Sequence, residues 1–346
     1  MSHKASLACA GAFAAAATFA GMSPAFSHTI VGNRVFPATL EIDDPGVNDE
    51  LALPGFSYAP NPDNSNNYNF LFEWQKTITA DLSFSIGDSF THLTHTQLFT
   101  NPVTGSPVYG TLNGWHNIDT QLKYQLYTNA EHEFIISTAV NVDWGNTGNL
   151  SVGTPANRFT ALTAKGYFGK GFGDVEYEWL KPIAITGEVD YNWSTHPNEF
   201  AGLDAFGNPL FNQTPTTLTY GLTLQYSLLY MNSFVHEVPE YFRSLVPTVE
   251  FAFTTPISNI GPSALPAIPG THETTGTWGP ALYYFGRIGP VAFQLGGLAS
   301  IPINHASGRH VGALAILDIF LDDTLPDTLG KPLFGPPQAR GANLGY

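Results

Sequence analysis

An all-β fold, an antiparallel up-and-down transmembrane β-barrel of about twelve strands, is what the sequence predicts, on three observations. The first is the stretch Thr217 to Leu228, T-L-T-Y-G-L-T-L-Q-Y-S-L. Its period of two puts Leu218, Tyr220, Leu222, Leu224, Tyr226 and Leu228 on one face of an extended chain. Thr217, Thr219, Gly221, Thr223, Gln225 and Ser227 fall on the other face. A helix cannot separate these two sets, and the run is long enough for a tilted strand to cross a bilayer, which takes roughly 9–11 residues. The second observation is composition: in 346 residues charged side chains make up only 12%, aromatics reach 13%, and there are 34 Gly and 26 Pro, a mix suited to many strands joined by turns. The third is that short and long connections alternate along the chain, as they do in barrels with tight turns at one rim and long loops at the other.

The N-terminal 27 residues read as a secretory signal, with Lys4 ahead of an Ala-rich run and Ala25-Phe26-Ser27 as a small-x-small cleavage site. The mature chain then starts at His28 without Cys9, so no disulfide is expected and a lipid anchor on that cysteine is disfavoured. No later run is apolar over the ~18 residues a transmembrane helix needs, which leaves strands as the only means of crossing. A net charge of −15 with only 13 Lys and Arg excludes a nucleic-acid partner. The expected location is the outer membrane of a Gram-negative cell.

In chain order, Val35 to Ile42 is a short extended piece ending at Asp43-Asp44-Pro45-Gly46, a turn signal. Asp43, Asp44, Asp49 and Glu50 lack the spacing of a known calcium loop, so a solvated acidic turn is expected there. Pro60 to Asn69 reads as a loop. Phe70, Phe72 and Trp74 alternate with Glu73 and Gln75, and a turn at Thr79 to Asp81 leads into Leu82, Phe84 and Ile86, a hairpin. Strands follow at Ile118 to Leu126, Phe134 to Trp144, Phe159 to Phe168, Leu180 to Trp193, Thr217 to Leu228, Leu245 to Thr254, Thr277 to Phe285, Val291 to Ile301 and Val311 to Leu321. Long polar connections are expected at Leu93 to Asn113, Gly145 to Asn157, Ser194 to Pro215 and Thr255 to Glu273, and one helical turn within Met231 to Leu245. The strands number eleven; an even count recruits Val35 to Ile42 as the first, against the objection of Pro37, with a plug or periplasmic latch as its alternative. The resulting segments are a signal at 1–27, an N-terminal segment with short strand and acidic loop at 28–68, a barrel at 69–322 and a periplasmic tail at 323–346.

Alternation then assigns faces. Leu218 to Leu228 at every second position face lipid, and the lumen is lined by Glu73, Gln75, Asp119, Gln121, Lys123, Gln125, Asn141, Asp143, Lys165, Glu188, Asp190, Gln225, Glu250 and Gln294. Glu133 belongs to the same polar set. Lys123 and Lys165 must pair with acids or meet water, because an isolated charge in a narrow barrel costs several kcal/mol. On the last strand Leu314, Ile316 and Phe320 share the inner face with Asp318, which gives part of the lumen an apolar character. Trp115, Tyr127, Trp144, Trp179, Trp193, Tyr230 and Tyr284 stand at strand ends, where interfacial girdle residues belong.

Over Val35 to Pro54, and again over F-L-D-D-T-L-P-D-T-L-G-K-P-L-F from Phe320 to Phe334, the chain resembles a group of proteobacterial outer-membrane barrel proteins of undefined substrate. Its architecture is loosely similar to the outer-membrane transporter-like proteins of phenol-degradation pathways. The resemblance implies a passive channel or transporter for small solutes, apolar or aromatic ones among them, and transfers no functional residue. About 25 residues follow Leu321, so Ile319-Phe320-Leu321 replaces a terminal aromatic as the expected signal to the barrel assembly machinery. Outer-membrane lipid and a small-molecule solute are the other expected partners.

Sites for chemistry are weak. Asn304-His305-Ala306-Ser307-Gly308 holds a His and a Ser, the pair that the similar twelve-stranded outer-membrane phospholipase uses, but it reads as a loop turn. Gly169-Lys170-Gly171-Phe172-Gly173-Asp174 lacks phosphate-loop spacing. His92 and His95 would point to opposite faces of a strand, and His116, His132, His196, His236 and His272 are scattered. No catalytic residue, metal or cofactor is expected. The alternatives to a channel are a structural or adhesive surface barrel and an outer-membrane lipid hydrolase.

Overall fold

A computed structural model describes residues 29–60, 65–100, 106–149, 159–203, 209–260 and 273–336. The stretch expected to be a secretory signal, with Cys9, and also His272 and Tyr346 lie outside these residues. Two three-residue strands, β1 (Thr29–Val31) and β2 (Arg34–Phe36), form a small hairpin of their own. The main sheet starts with β3 (Glu50–Pro60) and runs through β4 (Asn66–Thr79), β5 (Leu82–Thr100), β6 (Pro107–Trp115), β7 (Asp119–Asn129), β8 (Phe134–Asp143), β9 (Ala161–Gly171) and β10 (Ile183–Ser194). A separate hairpin of β11 (Asn198–Leu203) and β12 (Pro209–Gln213) precedes β13 (Thr216–Tyr226). The sheet then continues with β14 (Leu245–Ser258), β15 (Thr275–Ile288), β16 (Val291–Pro302) and β17 (Gly312–Phe320).

All pairings are antiparallel and join sequence neighbours except β5 with β7 and β10 with β13, and β17 pairs back onto β3 to close the sheet. Strand β6 pairs the far part of β5, from Phe90 to Thr100, and β7 pairs its near part, from Leu82 to Gly87. The two therefore share one stave, and a closed barrel of 12 strands results. Closure leaves no open edge around the ring, which is how a sheet satisfies its backbone in hydrocarbon.

The even count is reached by a different first strand. Val35 to Ile42 is not a stave: only Arg34–Phe36 is extended in a sheet, and it pairs with Thr29–Val31. The first stave is β3, inside the stretch expected to be an external loop, so the barrel begins at Glu50 and not at 69. The sequence hides it because E-L-A-L-P-G-F-S-Y-A-P carries two prolines and breaks its alternation in the middle. Pro54 has no N–H to give, and the ladders on both sides of β3 slip there, between Ala52 and Gly55 and between Ile316 and Asp318.

Three smaller differences follow the same logic. Within Leu93 to Asn113 the described residues extend β5 to Thr100 and form β6 from Pro107, and Asn66 to Asn69 belongs to β4, since cross-strand hydrogen bonds such as Asn69 Nδ2 to Ser57 Oγ (3.0 Å) hold polar residues in register. The alternating stretch ends at Tyr226. Ser227 accepts a hydrogen bond from the Tyr230 amide (3.0 Å) and caps helix α1 (Leu228–Phe234), so Leu228 is a helical residue and not a strand position facing lipid. After β17 the chain turns into α2 (Leu321–Thr324), and the tail donates from Leu333 and Phe334 to the carbonyls of Thr77 and Ile78.

Candidate functional site

Residues 29–49, read as a strand and a solvated acidic loop, fill part of the barrel interior. Val35 is buried with Leu229, Val246, Phe285 and Phe320, and Val31 and Phe36 with Ile135 and Ala184. These apolar groups on the inner wall, at the short-turn end, exist to receive the segment. Burying such side chains stabilises by about 1.5–3 kcal/mol each.

Polar contacts tie the segment to the wall almost all the way round. Arg34, with no exposed surface, donates to Glu133 (3.0 Å) and to the carbonyl of Pro182 (3.0 Å), and its guanidinium lies 3.9 Å over the Tyr230 ring. Tyr230 is therefore 5% exposed and not a girdle residue. The Ala38 carbonyl accepts from Gln294 (2.7 Å); the amides of Leu40 and Glu41 donate to Glu250 (3.1 and 2.8 Å); Tyr283 also donates to Glu250. Thr277 and Ser300 donate to Glu41 at 2.9 and 2.7 Å. Lys123 pairs with Asp43 at 2.8 Å and donates to the Asp44 carbonyl (3.0 Å), while Tyr167 donates to Asp43 (3.0 Å) and the Asp43 amide donates to Glu188 (2.8 Å). Asp49 receives Lys76 and the hydroxyl of Thr77.

The acidic turn is thus neither solvated nor a calcium loop: Asp44 and Asp49 are buried, and Asp43, Asp44 and Asp49 go to three different partners. Gly221 supplies the clearance: a Cβ there would stand 2.2 Å from Ile42 Cγ2. Gly171 is a second such point, where a Cβ would meet Glu133 at 2.2 Å and Arg34 Nε at 2.5 Å.

The residues assigned to the lumen fall into two groups. Lys123, Glu188, Glu250 and Gln294 hold the segment, as described, and Gln121 donates to Asp43 at 3.3 Å. Thr223 and Gln225 are packed too: Thr223 Oγ1 lies 2.6 Å from Thr186 Oγ1, and Gln225 donates to Thr223 at 2.9 Å. Gln75 is buried, and Gln125 lies opposite Ser137. The rest surround a cavity of about 610 Å³ left between residues 38–43 and the wall. Glu73, Asp119, Asp143, Lys165, Glu188 and Asp190 line it. Lys165 bridges Glu188 (3.0 Å) and Asp190 (3.4 Å), Asn141 donates to Asp119 (3.1 Å), and Asn117 donates to Asp143 (2.7 Å). On the other face of β13, Leu222 and Leu224 are 40% and 46% exposed.

Sequence reasoning missed Arg34, Glu41, Asp43 and Asp44, because a segment threaded through a barrel has no periodicity of its own. The available signal was indirect: two lumen lysines needing acids, an acid-rich segment with no lysine, and glycine on an otherwise polar inner face. At the short-turn rim Asp174 accepts from Lys170 (3.1 Å) and lies 2.9 Å from His132. Slight burial would raise its carboxyl, but the hydrogen bonds to His132 and Lys170 hold it below the usual carboxylate range. His92 meets Asn113 at 2.5 Å and His95 stacks on Tyr109. Ser307 donates to Asn304 (2.6 Å) and accepts from the Gly276 amide (2.8 Å).

No family model matches the sequence, and no curated protein sequence matches it. Among solved structures the chain is similar to an outer-membrane channel from Pseudomonas putida F1, with a TM-score of 0.51 and 12% identity over 83% of this chain and 99% of that one. The NanC porin (TM-score 0.43, 7% identity, 79% of this chain and 98% of that one) also matches. So does the CymD monoaromatic hydrocarbon channel (TM-score 0.39, 10% identity, 85% and 97%). The Pseudomonas channel shows that the fold is an outer-membrane β-barrel.

Proposed function

We propose that the chain is an outer-membrane channel that admits small solutes passively through a lumen narrowed by residues 29–49. The carrying observation is the cavity of about 610 Å³ between that segment and the wall, large enough for a small solute. Selection then comes from width and lining, without a chemical step. Leu71, Leu314 and Ile316 on the cavity wall favour a solute with an apolar or aromatic portion. Likeness in fold to a bacterial outer-membrane channel supports the reading. Export by a cleaved signal, insertion by the barrel assembly machinery and short turns on the periplasmic side belong to the same proposal.

We assign no catalytic role, because the Ser307 hydroxyl is held by Asn304 and Gly276 within a loop. Single-channel recording in planar bilayers, with flux of neutral, cationic and anionic aromatic solutes into liposomes, tests the channel. Conductance steps and solute entry are expected. A silent, impermeable barrel would leave the structural or adhesive reading in its place.

A further inference from the structure

The cavity wall is electrically one-sided. Ten carboxylate side chains and a single lysine, Lys165, line it, and that lysine is already committed to Glu188 and Asp190. The excess gathers at the seam where β17, β3 and β4 meet. Asp318 lies opposite Ala52, and Ala52 opposite Glu73, on the inner face. Glu50 is the next inward residue along β3, where the negative charges of Asp318, Asp44 and Glu73 act on it and Lys123 opposes them.

Asp318 is 1% exposed and enters no ion pair: what faces its carboxylate is another acid, Glu50, with the Ile319 amide beside it, and Oε2 of Glu50 is likewise buried without a donor. A buried carboxylate left so costs more than any hydrogen bond it forgoes, so the site calls for a positive charge from outside the chain. Among the described residues no three acidic or histidine side chains converge tightly enough for a metal ion. Beside the acids the same inner face turns apolar, with Ile316 two residues along β17, Leu314 four along, and Leu71 two along β4 from Glu73. Alternate side chains on a strand stand about 7 Å apart, the scale of one aromatic ring with a short arm.

We infer that this seam binds a small organic cation, an amine or quaternary ammonium with an aryl or short alkyl body. Its positive charge sits at Asp318 and Glu50, and its body lies against Ile316, Leu314 and Leu71. The inference deepens the channel reading and rests on it for access to the cavity.

The test titrates the detergent-solubilised full chain with benzylammonium, benzyl alcohol and benzoate by calorimetry at neutral pH and low salt. Benzylammonium alone is expected to bind. Asp318→Asn and Glu50→Gln, which keep shape and remove charge, each weaken it roughly tenfold, the worth of one charge-assisted contact. Heat-modifiable gel mobility checks that both variants remain folded barrels. Absence of benzylammonium heat, equal binding of benzyl alcohol, or unchanged affinity in both variants overturns the inference; the two carboxyls then share a proton. Flux of benzyl alcohol into liposomes reads the channel separately. Neutral flux without cation binding removes this site and leaves the channel, whereas cation binding in an impermeable barrel does the reverse.

Discussion

Two sides of the same lumen answer their charges differently. Along β7 to β10 every inward lysine meets an acid, Lys123 with Asp43 and Lys165 with Glu188 and Asp190, and Arg34 reaches across to Glu133. Along the seam of β17, β3 and β4, Asp318 and Glu50 face each other without an ion-pair partner. The first arrangement fixes a segment of the chain in place; the second leaves a vacancy of charge beside open volume. Interior polarity therefore has two uses in this barrel, anchoring and recognition, and they occupy different arcs of the wall.

Removing the anchor is the strongest way to break the contrast. A variant lacking residues 29–48 loses the partners of Lys123, Glu250 and Gln294 and joins the filled arc to the cavity. Single-channel conductance is expected to rise several-fold, with lower resistance to denaturant. Unchanged conductance would mean that the segment does not limit passage.

A pair of charge removals follows. Lys123→Met takes the buried lysine from Asp43, which is partly exposed and keeps the Tyr167 hydroxyl, and should cost about 1–3 kcal/mol in unfolding from detergent. Asp318→Asn deletes a charge that has no ion-pair partner and faces another acid, so it should be neutral or stabilising in the same assay. A loss at Asp318 as large as that at Lys123 would erase the distinction between the arcs.

The sequence showed the staves better than what they enclose. Alternation depends only on one face meeting lipid and the other meeting polar groups, and Thr217 to Tyr226 displays it without a break. Parity then demanded one more strand, but pointed to Val35 to Ile42, because β3 carries Pro54 at the slip in its ladder. The N-terminal segment is legible in the sequence only as an alternative, a plug or latch, because its hydrogen bonds go to side chains of the wall, more than 100 positions away in sequence for Leu40, Glu41 and Asp43. Its functional neighbours came out as lumen residues without their roles. Asp318 was placed on the inner face, and only its missing ion-pair partner singles it out.

The faces of β13 give a further test. Leu222→Arg puts a charge on the outer face and should cost about 2–4 kcal/mol near the bilayer midplane. Thr223, on the polar face of the strand, has no exposed surface and bonds Gln225 and Thr186, so Thr223→Val should lose about 1 kcal/mol. Equal losses at the two positions in a denaturant titration would show that the faces are not distinct.

Gly221 is the mildest probe and the most local one. It sits on the inner face of β13 between Thr219 and Thr223, and a Cβ there would stand 2.2 Å from Ile42 Cγ2 and 2.6 Å from the Phe251 carbonyl. Gly221→Ala must push residues near Ile42 toward the cavity or distort the ladder to β14, at a cost of about 1–3 kcal/mol. The two routes separate in combination. In a chain that also lacks residues 29–48 the Ile42 clash is gone, so the alanine should cost clearly less there than in the full chain. An equal cost in both backgrounds would assign this glycine to the strand pairing alone and not to the passage of the segment.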